Sequence, residues 1–208
     1  VKNVEKKGLL IVISGFSGAG KGTIVKQLVA RYGYSLSVSC TTRAPREGEV
    51  DGRDYHFKTK AEFENLIDYN GFIEYAQYVE NYYGTPRAYV EEQMAQGNNV
   101  ILEIEVQGAM NIKRQYPDAV LLFITAPSAK ELKERLVGRG SEDAETVHKR
   151  MNQAIKESSS MATYDYIVVN DDLDECVHHI HSIIEAEASK SCHQTGFMKQ
   201  IKQELMEI

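Results

Sequence analysis

An apolar run, Leu9-Leu10-Ile11-Val12-Ile13, leads into Gly15-Phe16-Ser17-Gly18-Ala19-Gly20-Lys21-Gly22-Thr23, followed by a helical pattern at Ile24, Val25, Leu28 and Val29. The order strand, glycine-rich turn, helix leaves few architectures open. Such a turn points backbone N–H groups inward and aims the positive end of a helix at the same spot, which makes an anion site suited to phosphates. Lys21 adds a point charge. The spacing G-x-x-x-x-G-K is that of a P-loop, standing between the strand and the helix that the motif requires. If the turn merely linked two elements, its four glycines would lose backbone entropy on ordering with nothing gained. In P-loops a Ser or Thr commonly follows the lysine and its hydroxyl reaches Mg²⁺. Here Gly22 follows, and Thr23 stands one position late. Phosphate binding is expected; hydroxyl ligation of a metal from position 22 is not.

Further along, apolar runs recur at 100–104, 119–124 and 166–169, as in strands buried on both faces. Helical patterns over 107–115, 128–137 and 173–188 alternate with them. This predicts an α/β protein with a P-loop core, a parallel sheet flanked by helices. The alternation in 36–40 predicts a second strand. Residues 41–55 are almost devoid of apolar side chains, and so long a loop in a compact protein is usually functional. Thr59 and Glu62 form a capping-box pattern ahead of a helix through Phe63, Leu66 and Ile67, which Asn70-Gly71 ends. Residues 72–78 are β-prone, 81–86 read as an aromatic turn, and Val90, Met94 and Gly97 mark another helix and its end. The expected organisation is a core of 8–37 and 98–188, an inserted substrate lobe at about 38–90, and a short lid at about 138–145. The lid is the polar, glycine-flanked break before a helical stretch over 144–162. A polar tail, 189–208, has a weak helical period at Phe197, Ile201 and Leu205.

Composition narrows the partners. With 24 basic and 30 acidic residues the net charge is −6, so no general basic surface for nucleic acid or anionic membrane is expected. Three cysteines, Cys40, Cys176 and Cys192, show neither disulfide-framework nor CxxC spacing and read as unpaired thiols of a reducing compartment. No apolar run approaches the ~20 residues of a membrane helix, and the charged start does not read as a secretory signal. A cytoplasmic location is expected.

Two arginines three apart, Arg43 and Arg46, lie in the polar loop, with the hydroxyls of Ser39, Tyr55 and Tyr83 available nearby in sequence. Guanidinium forks suit a monophosphate better than ammonium groups do. Glu74 interrupts an apolar strand, where burying a carboxylate is costly unless it is paired. Guanine offers two adjacent donors to a carboxylate, whereas adenine would oppose it with a lone pair. Periodicity alone equally allows Glu74 to face solvent from an edge strand. Tyr78, Tyr82 and Tyr83 are open between packing and ligand contact.

The segment Thr41-Thr42-Arg43-Ala44-Pro45-Arg46-Glu47-Gly48-Glu49-Val50-Asp51-Gly52-Arg53-Asp54-Tyr55-His56-Phe57 closely resembles the signature of guanylate kinases. The order of Phe-Ile-Glu-Tyr, Asn-Tyr-Tyr-Gly-Thr, Leu-Glu-Ile-Glu-Val-Gln-Gly, Arg-Leu-Val-Gly-Arg-Gly and Val-Asn-Asp-Asp extends that resemblance over about 8–188. It implies transfer of the ATP γ-phosphate to GMP, and to dGMP, in purine nucleotide metabolism. The resemblance implies guanine recognition by Ser39, Glu74 and Thr85, with Glu105 standing where an Asp is common. It implies phosphate contact by Arg43, Arg46, Tyr55 and Tyr83. ATP contact falls to residues 15–23 with Arg135 and Asn170, and charge stabilisation to Lys21, Arg43, Arg139 and Arg150. Mg²⁺ is implied, held largely through water and phosphate. A related class, inactive modules that bind phosphopeptides through the same site, usually has a damaged P-loop; here Lys21 and the glycines are intact.

Overall fold

The structure is a computed structural model that describes residues 7–78, 80–138 and 144–207. β1 (Leu10–Gly15) is buried at every position and lies at the centre of a five-stranded sheet. Its neighbours are β7 (Val100–Glu103) and β8 (Val120–Thr125), with β2 (Ser35–Leu36) and β9 (Tyr166–Val169) at the two edges. Every pairing is parallel. Strands in the middle of such a sheet are covered on both faces, which is why they read as unbroken apolar runs. α1 (Lys21–Tyr32) packs on β1 and β7 and against α7 (Leu173–Ala188). Ile24 and Leu28 of α1 meet Ile11, Ile101 and Phe123 in one core, all fully buried. Each such side chain contributes roughly 1.5–3 kcal/mol relative to exposure.

A second, smaller sheet has the order β4 (His56–Phe57), β3 (Cys40–Thr41), β6 (Asn81–Pro86), β5 (Phe72–Tyr78). Its own core is Cys40, Phe63 and Phe72, with Tyr82 stacked on Phe63 at 5.3 Å between centroids. Phe63 comes from α2 (Lys60–Asp68), whose first turn is closed by the expected reciprocal bonds between Thr59 and Glu62. α3 (Arg87–Ala95) returns the chain to the core, and α4 (Val106–Gln115) contacts both β1 and β5. α5 (Ala129–Gly138) and α6 (Ala144–Ser158) stand on either side of the expected lid. Most of that lid, 139–143, and with it Arg139, lies outside the described residues.

Three sequence expectations need correction. The strand expected over 36–40 is two strands in different sheets: Ser35 and Leu36 pair with β7, whereas Cys40 and Thr41 pair with β6. Side-chain alternation is the same in either sheet, so it carries no signal of the change of partner at 37–39. The aromatic turn expected over 81–86 is the strand β6, paired along β5. Its Gly84 suggested a turn but is there for packing: a Cβ would stand 2.9 Å from ring atoms of both Phe63 and Phe72. The helix expected over 144–162 stops at Ser158 and a 3₁₀ turn, Met161–Thr163, follows. The tail carries α8 (Thr195–Met206), which leaves Phe197, Leu205 and Met206 exposed. Among the described residues no helix is long and apolar enough to cross a membrane, and the three cysteines are free thiols.

Candidate active site

The P-loop begins where β1 ends. Gly20, at φ 90°, turns the chain into α1, and no side chain caps that helix. The Thr23 and Ile24 N–H groups turn back to the Gly20 carbonyl oxygen, which leaves those of Lys21 and Gly22 at the loop with helix polarity behind them. Gly20 is also pressed by Asn170, whose Nδ2 would lie 2.5 Å from an added Cβ. That amide donates to the Ala19 carbonyl oxygen at 2.8 Å, tying the loop to the end of β9. Phe16 anchors the loop by its edge-to-face contact with Phe123, and Ala19 is fully buried. Lys21 Nζ donates to the carbonyl oxygens of Gly15 and Phe16 at 2.8 and 3.2 Å. Arg150, from α6, donates through Nη1 to Ser17 Oγ at 2.9 Å, so a guanidinium stands at the loop beside Lys21.

Three carboxylates gather opposite this cationic cradle. Glu103, at the end of β7, opens to solvent on one side, yet the protein on its other sides raises its carboxyl by desolvation. Lys21 opposes that rise and Glu105 adds to it. Glu157, buried on α6, is likewise raised by desolvation, relieved in part by its hydrogen bond from Gln153 and by Lys21. A Cβ on Gly22 would stand 3.8 Å from both Glu103 carboxylate oxygens, so the position that lacks a hydroxyl faces a carboxylate. Among the described residues no three His, Cys, Asp or Glu side chains form a cage for a metal ion. A cation here would keep its own waters and meet Glu103 through them.

In the smaller lobe, Arg43 lies over the Tyr55 ring at 5.4 Å and donates through Nη2 to both Glu49 oxygens at 2.9 and 3.0 Å. The Glu49 carboxyl is held below its usual range by that bond. Tyr55 meets Tyr83 edge to face at 6.0 Å, and burial raises its hydroxyl. Glu74 and Thr85 are a cross-strand pair of β5 and β6, beside the irregularity in register at Phe72. Both are buried, and Thr85 Oγ1 donates to Glu74 Oε1 at 2.8 Å. Desolvation raises the Glu74 carboxyl, with the Thr85 bond pulling the other way. A buried carboxylate with one oxygen taken by a hydroxyl retains acceptor capacity that only a donor-bearing ligand or water can fill.

The sequence matches the family model for guanylate kinase over residues 7–187. The chain belongs to the guanylate kinase family. It is therefore a nucleotide kinase. The solved guanylate kinase from Anaplasma phagocytophilum is 33% identical, with 92% of each chain covered and a TM-score of 0.77. TT1252 from Thermus thermophilus, 17% identical over 89% of this chain and 100% of that one, shares the fold at a TM-score of 0.50.

Against that family frame, the structure brings Ser17, Lys21 and Arg150 to one loop and Arg43, Tyr55 and Tyr83 to one wall. Glu105 stands immediately before α4, without a capping bond from its side chain, and its charge acts on Glu103. Ser39 is tied to the start of β4 through its carbonyl oxygen, which accepts from the His56 N–H at 2.9 Å. Arg46 is exposed, and its backbone N–H rather than its side chain meets Glu49. Arg135, on α5, is paired with Glu131. Of the tyrosines left open by sequence, Tyr82 packs in the small core while Tyr83 faces Tyr55. Glu103 and Glu157 were not singled out from sequence. Glu103 carries the same signal as Glu74, a carboxylate closing an apolar run, and could have been found by it.

Proposed function

We propose that the chain transfers the γ-phosphoryl group of ATP to GMP, and to dGMP, giving ADP and GDP. The observation that carries this reading is the buried Glu74–Thr85 pair, a carboxylate kept dry in a strand of the lobe that also holds the arginine wall. Guanine supplies two adjacent donors to such a group, and Ser39 and Glu105 would serve the same base. Arg43, Arg46, Tyr55 and Tyr83 hold the GMP phosphate. The loop from Gly15 to Thr23 holds the ATP phosphates, with Arg135 toward the nucleoside. Asn170 serves ATP by fixing the loop through the Ala19 carbonyl rather than by direct contact.

No protein nucleophile is required. An oxygen of the GMP phosphate attacks the γ-phosphorus in line, the new P–O bond forms as the bond to the β-phosphate oxygen breaks, and ADP leaves with that electron pair. The chain's contribution is position and charge. Lys21 and Arg150, with Arg139 from the lid, meet the equatorial oxygens, and Arg43 fixes the attacking phosphate. Mg²⁺ fits the donor set when carried by ATP: Glu103, with Glu105 behind it, would hold its waters, and the ion would neutralise charge between the β- and γ-phosphates.

A coupled ADP-release assay with GMP, dGMP, AMP, UMP and CMP tests the reading. High turnover with the two guanine nucleotides and little with the others is expected. A flat or absent response across the five would undo it.

A further inference from the structure

We propose that Gly108 is a specificity-determining position of the guanine site, acting as a positioning residue through the Glu74 carboxylate and not by touching substrate. The inference rests on the guanine reading above. Gly108 is buried in the first turn of α4, two residues after Val106 opens the helix. Glycine is disfavoured there relative to alanine because it gives up the most backbone freedom on ordering. Its backbone has no positive φ that would call for glycine. What calls for it is a close approach: a Cβ at Gly108 would stand 2.8 Å from Glu74 Oε2 and 3.2 Å from Glu74 Cδ. Ile104 Cδ1, also at 3.2 Å, closes off the neighbouring space.

The two Glu74 oxygens thus have different neighbours. Oε1 accepts from Thr85, across the strands of the lobe, and Oε2 lies against the bare backbone of a helix that packs on both β1 and β5. A methyl group at 108 meets the tip of a side chain, not backbone. The fold can yield by turning or withdrawing the carboxylate. The base site cannot, because recognition by hydrogen bonds depends on where both acceptor oxygens point. The missing Cβ therefore sets the orientation of the group that reads the base, and it makes α4 the surface against which that group is fixed.

The test is steady-state kinetics of Gly108→Ala with GMP and AMP, alongside Glu74→Gln and Glu74→Asp. Gly108→Ala should raise KM for GMP tenfold or more and lower the GMP-over-AMP ratio of kcat/KM by a similar factor. KM for ATP and kcat at saturating GMP should stay within about threefold. In the Glu74→Asp background, where the carboxylate is drawn back by one methylene, adding Gly108→Ala should cost nothing further, a non-additivity that general loosening of the fold would not produce. If the parent shows no preference for GMP, the guanine reading fails and this inference with it. If Glu74→Gln loses the preference but Gly108→Ala keeps the parent's ratio, only the role of Gly108 is refuted. Should Gly108→Ala fail to fold, Glu74→Ala/Gly108→Ala removes the close contact: recovery of folding supports the contact, and continued failure overturns it.

Discussion

Glu74→Gln keeps the shape of the side chain and removes one acceptor and the charge. If guanine's ring N–H and exocyclic amine both reach Glu74, the substitution deletes one charge-assisted bond and sets two donors against each other. A bond to a charged group is worth about 1.5–3 kcal/mol, and an opposed donor adds to the loss. A total of roughly 2–4 kcal/mol lowers kcat/KM for GMP by about 30- to 1000-fold, with AMP little changed. Stability should move the other way. Burial raises the Glu74 carboxyl above the usual carboxylate range. As pH rises from there, the unfolded chain loses its proton before the folded one does, so stability falls until the folded group has ionised too. Glutamine has no such loss. Calorimetry should therefore give ligand-free parent and variant similar Tm near pH 4, and a higher Tm for the variant at pH 7–8. Saturating GMP should reverse that order, because only the parent binds it tightly. A variant that is less stable at pH 7.5 and retains the parent's GMP-over-AMP ratio would refute this reasoning.

Asn170→Ala leaves the buried Ala19 carbonyl without its donor. That costs about 1–3 kcal/mol, or roughly 2–10 °C in Tm for a chain of this size, and KM for ATP should rise while KM for GMP holds; thermal melts and paired KM measurements check it. Glu49→Ala frees Arg43 from its bidentate partner and the Arg46 N–H from its acceptor, so the loop loses its ordering contact. KM for GMP should rise about tenfold with kcat nearly unchanged. Glu103→Gln removes the carboxylate facing Gly22, and the Mg²⁺ concentration at half-maximal rate should rise severalfold in a titration at fixed ATP, while binding of metal-free ATP is unweakened.

Much of the fold was legible because the core strands advertise themselves. β1, β7 and β8 lie inside a parallel sheet, so their apolar runs need no partner to be recognised. The capping box at Thr59 and Glu62 was equally local. What stayed hidden depends on distant partners. Nothing in the sequence near 37–39 marks the passage from one sheet to the other, and Gly84 looks like a turn until Phe63 and Phe72 are placed against it. The burial of Glu74 was undecided from periodicity, since the same alternation serves an edge strand facing water; packing by α4 decides it. Asn170 reaches Ala19 from 151 residues away, and Gly108 is informative only once Glu74 lies beside it. The arginine loop was readable as a phosphate site, but Glu49 as the partner that orders it was not.

The most direct measurement is a competition in one tube, followed by ³¹P NMR: the chain with Mg²⁺, ATP, and equal amounts of GMP and AMP. The γ-phosphate of ATP should reappear as the β-phosphate of GDP, one for each ADP formed, while the AMP resonance persists. Consumption of AMP at a comparable rate, or release of inorganic phosphate in place of GDP, would contradict it.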